Sequence, residues 1–192
     1  MKSLQAQAKG ETPIADLIRE RRTVRQFLAD PVPESLLLEL LNVAVWAPNH
    51  GHRQPWRFIL FHGEARRTFA EAMVRTYSSE ERGKYGERKK EYLESVPAHL
   101  IVIMKEDPRQ KIWDEDYAAV CSMIQNFQLA AWERGLGVVW KTNHYGYDPT
   151  FREAVGVRPG EKIAGVLHVG YPLAIPQARP RMPAEELLTI FR

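Results

Sequence analysis

Trp46-Ala-Pro-Asn-His-Gly-His-Arg-Gln-Pro-Trp56 joins an apolar run, Leu36 to Val45, to a second one, Phe58 to Phe61. Pro48, Gly51 and Pro55 cannot together continue a helix or pair within a sheet, so the stretch is a loop. It carries two Trp, two His, an Arg, a Gln and an Asn, all groups that stack or hydrogen-bond. A rigid connector with two buried anchors and a ligand-binding loop both fit that chemistry, and the flanking segments decide between them.

Working outward, Glu34 to Val45 reads as a helix that is apolar on most sides and therefore central. Trp56 to His62 reads as a strand. Upstream, Thr12-Pro13 offers an N-cap and a first-turn proline, and Ile14, Leu17 and Ile18 give an amphipathic helix ending in Arg19-Glu-Arg-Arg22. Thr23 to Phe27 is extended. Downstream, Glu64 to Tyr77 has helical spacing, and Glu80 to Ser95 is a charged segment with two glycines, a solvated helix or a mobile flap. Ala98 to Met104 is a buried strand, Asp114 to Arg134 the longest helix with Gly135 as its C-cap, and Leu136 to Trp140 a further strand. Asp148-Pro149 starts a short helix that stops at Gly156, and Lys162 to Gly170 is a strand. A proline-rich tail then leads to an amphipathic piece, Glu185 to Phe191. The pattern is that of an α+β fold with one helix-flanked sheet, residues 1–192 forming a single domain. Residues 1–11 are expected to be an N-terminal arm. Residues 172–192 are expected to be a tail packing on a second copy of the chain.

Composition narrows the function classes. Apolar residues make up 44% of 192 and charged residues 27%, as in an ordinary globular protein. The 27 basic against 24 acidic residues leave too little excess to argue for nucleic acid. Nothing approaches the roughly 20 apolar residues of a membrane span, and no secretory leader is evident, so a cytoplasmic setting without membrane partners is expected. Cys121 is the only cysteine, which removes disulfides and thiolate metal clusters. His50, His52, His62, His99, His144 and His168 lack carboxylates at ligand spacing, so no metal is expected. Gly135-Leu-Gly137 lies between helix and strand in the reverse of the dinucleotide-fingerprint order. No nucleophile motif occurs. Any chemistry then belongs to a bound cofactor. Arg21, Arg22 and Arg25 beside Thr23, with Arg179 and Arg181 in the tail, suit a phosphate ester, although basic residues at a helix C-terminus also satisfy the helix dipole.

Taken in order, Arg21-Arg-Thr-x-Arg25, Ala47-Pro48 with Gln54-Pro-Trp56, Gly135-Leu-Gly-Val-Val-Trp140 and Arg179-Pro-Arg-Met-Pro183 resemble the FMN-dependent nitroreductases, especially their short single-domain branch. The likeness runs from about Pro13 to Pro183. It implies an intertwined homodimer with FMN at the subunit interface, and ping-pong hydride transfer from NAD(P)H to nitroaromatics or quinones. All chemistry would take place at flavin N5, with no catalytic side chain. A non-catalytic flavin-binding or redox-sensing protein on the same fold is the alternative. By the same resemblance Arg21, Arg22 and Thr23, joined by Arg179 and Arg181, would hold the phosphate and ribityl chain. Arg25 would approach the pyrimidine, and Trp140, Lys141 and Thr142 would lie along the ring. His50 and His52 would come from the partner's loop, with Trp46 at the site's edge and Gln54 in its motif. The resemblance also reaches Lys90 in the charged segment. The larger relatives commonly have Ser-Ser-x-Asn where this chain has Asn49-His50-Gly51-His52.

Overall fold

Four strands form one antiparallel sheet in the order β1-β2-β4-β3: β1 (Trp56–His62), β2 (Ala98–Lys105), β3 (Gly137–Lys141) and β4 (Glu161–Gly170). The computed structural model describes residues 13–192, and the expected N-terminal arm and the Thr12 cap lie outside the described residues. Central β2 and β4 are covered on both faces, which is why they read as continuous apolar runs rather than alternating ones. On one face Leu100, Val102, Met104 and Leu167 pack against Leu37 and Leu40 of α2 (Glu34–Ala44) and Val120, Ile124 and Phe127 of α6 (Gln110–Glu133). On the other, Ile101, Ile103 and Val166 meet Phe69 and Met73 of α3 (Ala65–Arg75), Leu93 of α5 (Glu87–Ser95) and Phe151 of α7 (Pro149–Ala154). Each of these buried side chains contributes about 1.5–3 kcal/mol, so the two clusters hold helices and sheet together.

The segment after α1 (Pro13–Glu20) is strapped to the free edge of β3. Thr23 bridges Val138 in parallel, with Val24 N–H donating to Val138 O at 3.2 Å. Gly137 makes this possible: a Cβ there would lie 2.5 Å from Cβ of Val24. Four residues on, the same segment receives the chain leaving β4. Leu28 N–H donates to Tyr171 O at 2.9 Å, and Leu173 N–H donates to Gln26 O at 3.0 Å. The first and last thirds of the sequence are thereby stitched side by side.

The structure departs from the sequence expectations in three places, and of the two readings of the charged segment it bears out the helix. Helix α6 begins at Gln110 rather than Asp114, because Trp113 stacks on Tyr117 with ring centroids 5.1 Å apart and extends the stripe by one turn. The expected helix Glu64 to Tyr77 closes sooner, at Arg75. The charged segment is helical despite its glycines: α4 (Ser79–Glu81) opens on a Ser78–Glu81 capping box, a π-helical turn spans Arg82–Gly86, and α5 follows. The tail forms only a 3-10 turn, Ala184–Glu186, with no longer amphipathic helix to Phe191. Gly135 does take the left-handed cap conformation after α6, with φ 74°. Asp148 caps α7, its Oδ1 accepting from Thr150 N–H at 2.8 Å.

Candidate functional site

The strap and the tail between them bring all six candidate residues of the two arginine motifs around one recess. Arg21, Arg22, Thr23, Arg25, Arg179 and Arg181 line a space of about 510 Å³, closed on one side by Pro176 to Ala178. These arginines take part in none of the ion pairs found among the described residues. Arg22 donates to the backbone oxygens of Arg19 and Arg21 instead, and Arg181 to that of Arg179. Arg21 is the telling member. Its Nε and Nη1 are shielded from solvent and have no hydrogen-bond partner. Burial, then the neighbouring Arg22 and Arg181, push its pKa below the ordinary guanidinium value. Buried donors on a cation are expensive to leave unmade, and an anion with several acceptor oxygens is the group that would satisfy them.

Further along the strap a second group of cations gathers without acids. Lys141, at the end of β3, has its Nζ 5.6 Å from the ring centroid of Tyr92, and Lys89 has its Nζ 5.3 Å from the same ring. Burial lowers the Lys141 pKa, with Lys89 and Arg25 adding to it, and burial lowers that of Lys89. Lys141 and Thr142 also line a smaller recess of about 230 Å³ with Tyr117, Tyr145 and Tyr147. Trp140 is otherwise engaged: its indole N–H donates to Ala164 O at 3.1 Å, and the ring lies over Gly165, where a Cβ would not fit. Lys90 points away from this group, toward Glu71 and Glu94 at 4.0 Å each. Lys89 is the α5 cation that joins the site. Helical spacing contained that signal, since Glu94 lies four residues after Lys90 and Tyr92 three after Lys89.

The Trp46 to Trp56 loop is placed elsewhere, over the first turns of α6. Arg53 anchors it, Nε donating to Asp116 Oδ1 and Nη2 to Glu115 Oε2, both at 2.8 Å. Asn49 Oδ1 accepts the Gln54 N–H at 3.0 Å. His52 and Gln54 have positive φ, 51° and 47°, a conformation that costs a non-glycine residue about 1–3 kcal/mol and concentrates at functional sites. Trp46 is 86% exposed and His50, His52 and Gln54 are exposed as well, so none of the four reaches the arginine recess of its own chain. Cys121 is half-buried beside Tyr117, and burial raises its thiol pKa, which suits no nucleophile.

Beneath the second cation group two histidines are buried on neighbouring strands. His99 Nε2 lies 2.8 Å from Leu93 O, and its ring stacks on Phe69 at 4.1 Å. His168 sits edge-on to it at 4.6 Å, with neither ring nitrogen partnered. Burial depresses both, His99 to about 4, so both are neutral near pH 7. Among the described residues no three His, Cys, Asp or Glu side chains gather as metal ligands, and no helix is long and apolar enough to cross a membrane.

An antiparallel sheet between two helical layers, with an arginine-lined recess strapped to its edge, defines an α+β fold. The chain belongs to the Nitroreductase family, whose profile matches residues 18–171. A nitroreductase-like family protein from Bacillus cereus shares the fold at a TM-score of 0.91 and 47% identity, over 95% of this chain and 98% of that one. YfhC of Bacillus subtilis (strain 168), provisionally named an NAD(P)H nitroreductase, is 36% identical over 92% of this chain and 93% of its own. A protein from Desulfovibrio desulfuricans crystallised in complex with FMN has the same fold at a TM-score of 0.74 and 22% identity, over 95% and 98% of the two chains.

Proposed function

We propose that this protein is an FMN-dependent NAD(P)H oxidoreductase that reduces quinones, nitroaromatics or similar electron-poor acceptors as a homodimer. The observation that carries the reading is Arg21, whose buried and unpartnered Nε and Nη1 face a cradle of further arginines with no carboxylate among them. A terminal phosphate monoester fits that donor set, which favours FMN over a cofactor ending in a nucleotide. The family membership and the NAD(P)H named for the Bacillus subtilis relative agree with it. When bound, FMN supplies a two-electron acceptor that takes hydride from nicotinamide and passes it on.

The chain's own residues then have limited tasks. Arg21, Arg22, Arg179 and Arg181 hold the phosphate, and the Thr23 hydroxyl adds a donor beside them. Arg25 and Lys141 place positive charge where a reduced ring would carry negative charge, and stabilise it in a partly desolvated setting. Tyr92 and Lys89 close that end. For a quinone the balance is one NAD(P)H and one solvent proton giving NAD(P)+ and hydroquinone, so no side-chain base is required. Trp46, His50, His52 and Gln54 would serve the partner's site, since they point away from their own. The exposed Leu187, Leu188, Ile190 and Phe191, the last 94% exposed, give the tail an apolar surface suited to covering by a second copy. Purified protein should be yellow and release FMN, not FAD, on denaturation. Colourless protein that cannot be reconstituted with FMN would overturn the proposal.

A further inference from the structure

A further recess lies apart from the phosphate cradle. Tyr77, Tyr85, Arg88, Lys89 and Tyr92 wall a recess of about 510 Å³, a volume in the range of small-molecule sites. Its rim is built by the π-helical turn Arg82–Gly86, which carries Tyr85 outward. Such turns are rare and frequent at functional sites. Buried Gly86 lets the turn lie against α3, since a Cβ there would come within 3.3 Å of Val74 Cγ1. Arg88 and Lys89 take part in none of the ion pairs among the described residues, whereas the next residue, Lys90, has Glu71 and Glu94 within reach. The cations of α5 that face the recess are thus the unpaired ones. Lys84 Nζ lies 5.1 Å from the centroid of Tyr85, one of the wall rings. Lys89 and Tyr92 belong both to this recess and to the group around Lys141, so the two spaces adjoin.

Three phenol rings and unpaired cations select a ligand that is flat and negatively charged. A guanidinium fork matches a carboxylate in two parallel hydrogen bonds. We propose that this recess holds the ring of an aryl carboxylate acceptor, with Arg88 and Lys89 on its carboxylate and Tyr77, Tyr85 and Tyr92 around the ring. The inference rests on the oxidoreductase reading only in naming that ligand an electron acceptor.

The test is titration calorimetry of the full-length protein, with and without added FMN, using para-nitrobenzoate and its uncharged methyl ester. The acid should bind about tenfold or more tighter than the ester, as a charge-assisted hydrogen bond requires. Arg88→Gln should level the two, Tyr85→Leu should weaken both, and Arg22→Gln should leave the preference standing. Equal affinities in the unaltered protein, or a preference that survives Arg88→Gln, would overturn the assignment. So would a preference lost in Arg22→Gln, which would place the acid in the phosphate cradle. An Arg88→Gln change that weakens NADPH and not the acid would overturn it too, by giving the recess to the electron donor. Because the walls are all protein, a chain that takes up no FMN still answers this titration. Colour tests the cofactor and calorimetry tests the recess.

Discussion

Replacing Arg21 by Met should move two measurements in opposite directions. In the protein without cofactor, Nε and Nη1 of Arg21 are buried donors without acceptors, beside the like charges of Arg22 and Arg181. An unmade buried hydrogen bond costs about 1–3 kcal/mol, and Met keeps the apolar stem while removing the donors and the charge. The apoprotein should therefore gain about 1 kcal/mol, which at this chain length is about 2–4 °C in Tm. FMN should bind more weakly by about 1.5–3 kcal/mol, or roughly 10- to 150-fold, the scale of one charge-assisted hydrogen bond. Thermal melts of apoprotein and quenching of flavin fluorescence on titration read the two effects separately. A variant with unchanged FMN affinity would refute the role of Arg21. A variant whose apoprotein melts lower would show that the guanidinium is satisfied without a ligand, which removes the main argument for the cradle.

The remaining expectations concern the strap, the tail, the kinetics and pH. Gly137→Ala drives a methyl into Val24 and should cost about 1–3 kcal/mol while weakening FMN, because Thr23 and Arg25 ride on that strap; wild-type Tm and occupancy would contradict this. Deleting residues from Ala184 onward should weaken dimerisation and lower flavin content, and sedimentation showing a fully loaded dimer would count against the tail as an interface. Varying NADPH and a quinone should give parallel double-reciprocal lines, since no dinucleotide fingerprint provides a second nicotinamide site; converging lines would exclude ping-pong order. Stability should fall as pH drops below about 6.5, because His99 and His168 bind fewer protons folded than unfolded. The loss from His99 alone should reach about 3 kcal/mol by its folded value of about 4, and a flat Tm across that window would show that the pair is not held neutral.

Strands were the most legible part of this sequence. The expected Trp56 to His62 is β1 to the residue, and the ends of β2, β3 and β4 shift by one, because buried runs bounded by prolines and glycines leave little freedom. The charged segment was harder to read. Net composition spoke for a flap, while the Ser78–Glu81 box and the spacing of Tyr92 and Leu93 spoke for a helix, and tertiary packing on α3 decided it. Of the site, the arginines could be placed by motif order, and the strap brings them together around one recess. Lys89 could not be separated from Lys90 by composition, only by asking which neighbour each faces. Burial of His168 without a partner left no trace in spacing, since it comes from the alignment of β2 and β4. Nor could the sequence show that Trp140 spends its indole N–H on Ala164 rather than on a ligand.

The stitching of the segment before α2 to the chain after β4 has a consequence for how the protein is made. Residues 21–25 leave the ribosome more than 150 residues before Arg179 and Arg181. Synthesis proceeds from the N-terminus at about 5–20 residues per second, so the early arginines wait several seconds for their counterparts. During that interval three like charges stand together with no tail to frame them. A chain that lacks residues from 179 onward retains all four strands and both helical layers yet has only half a cradle. On the proposed reading, cofactor loading would follow synthesis of residue 181, and loss of Arg179 and Arg181 should yield folded chains that hold less flavin.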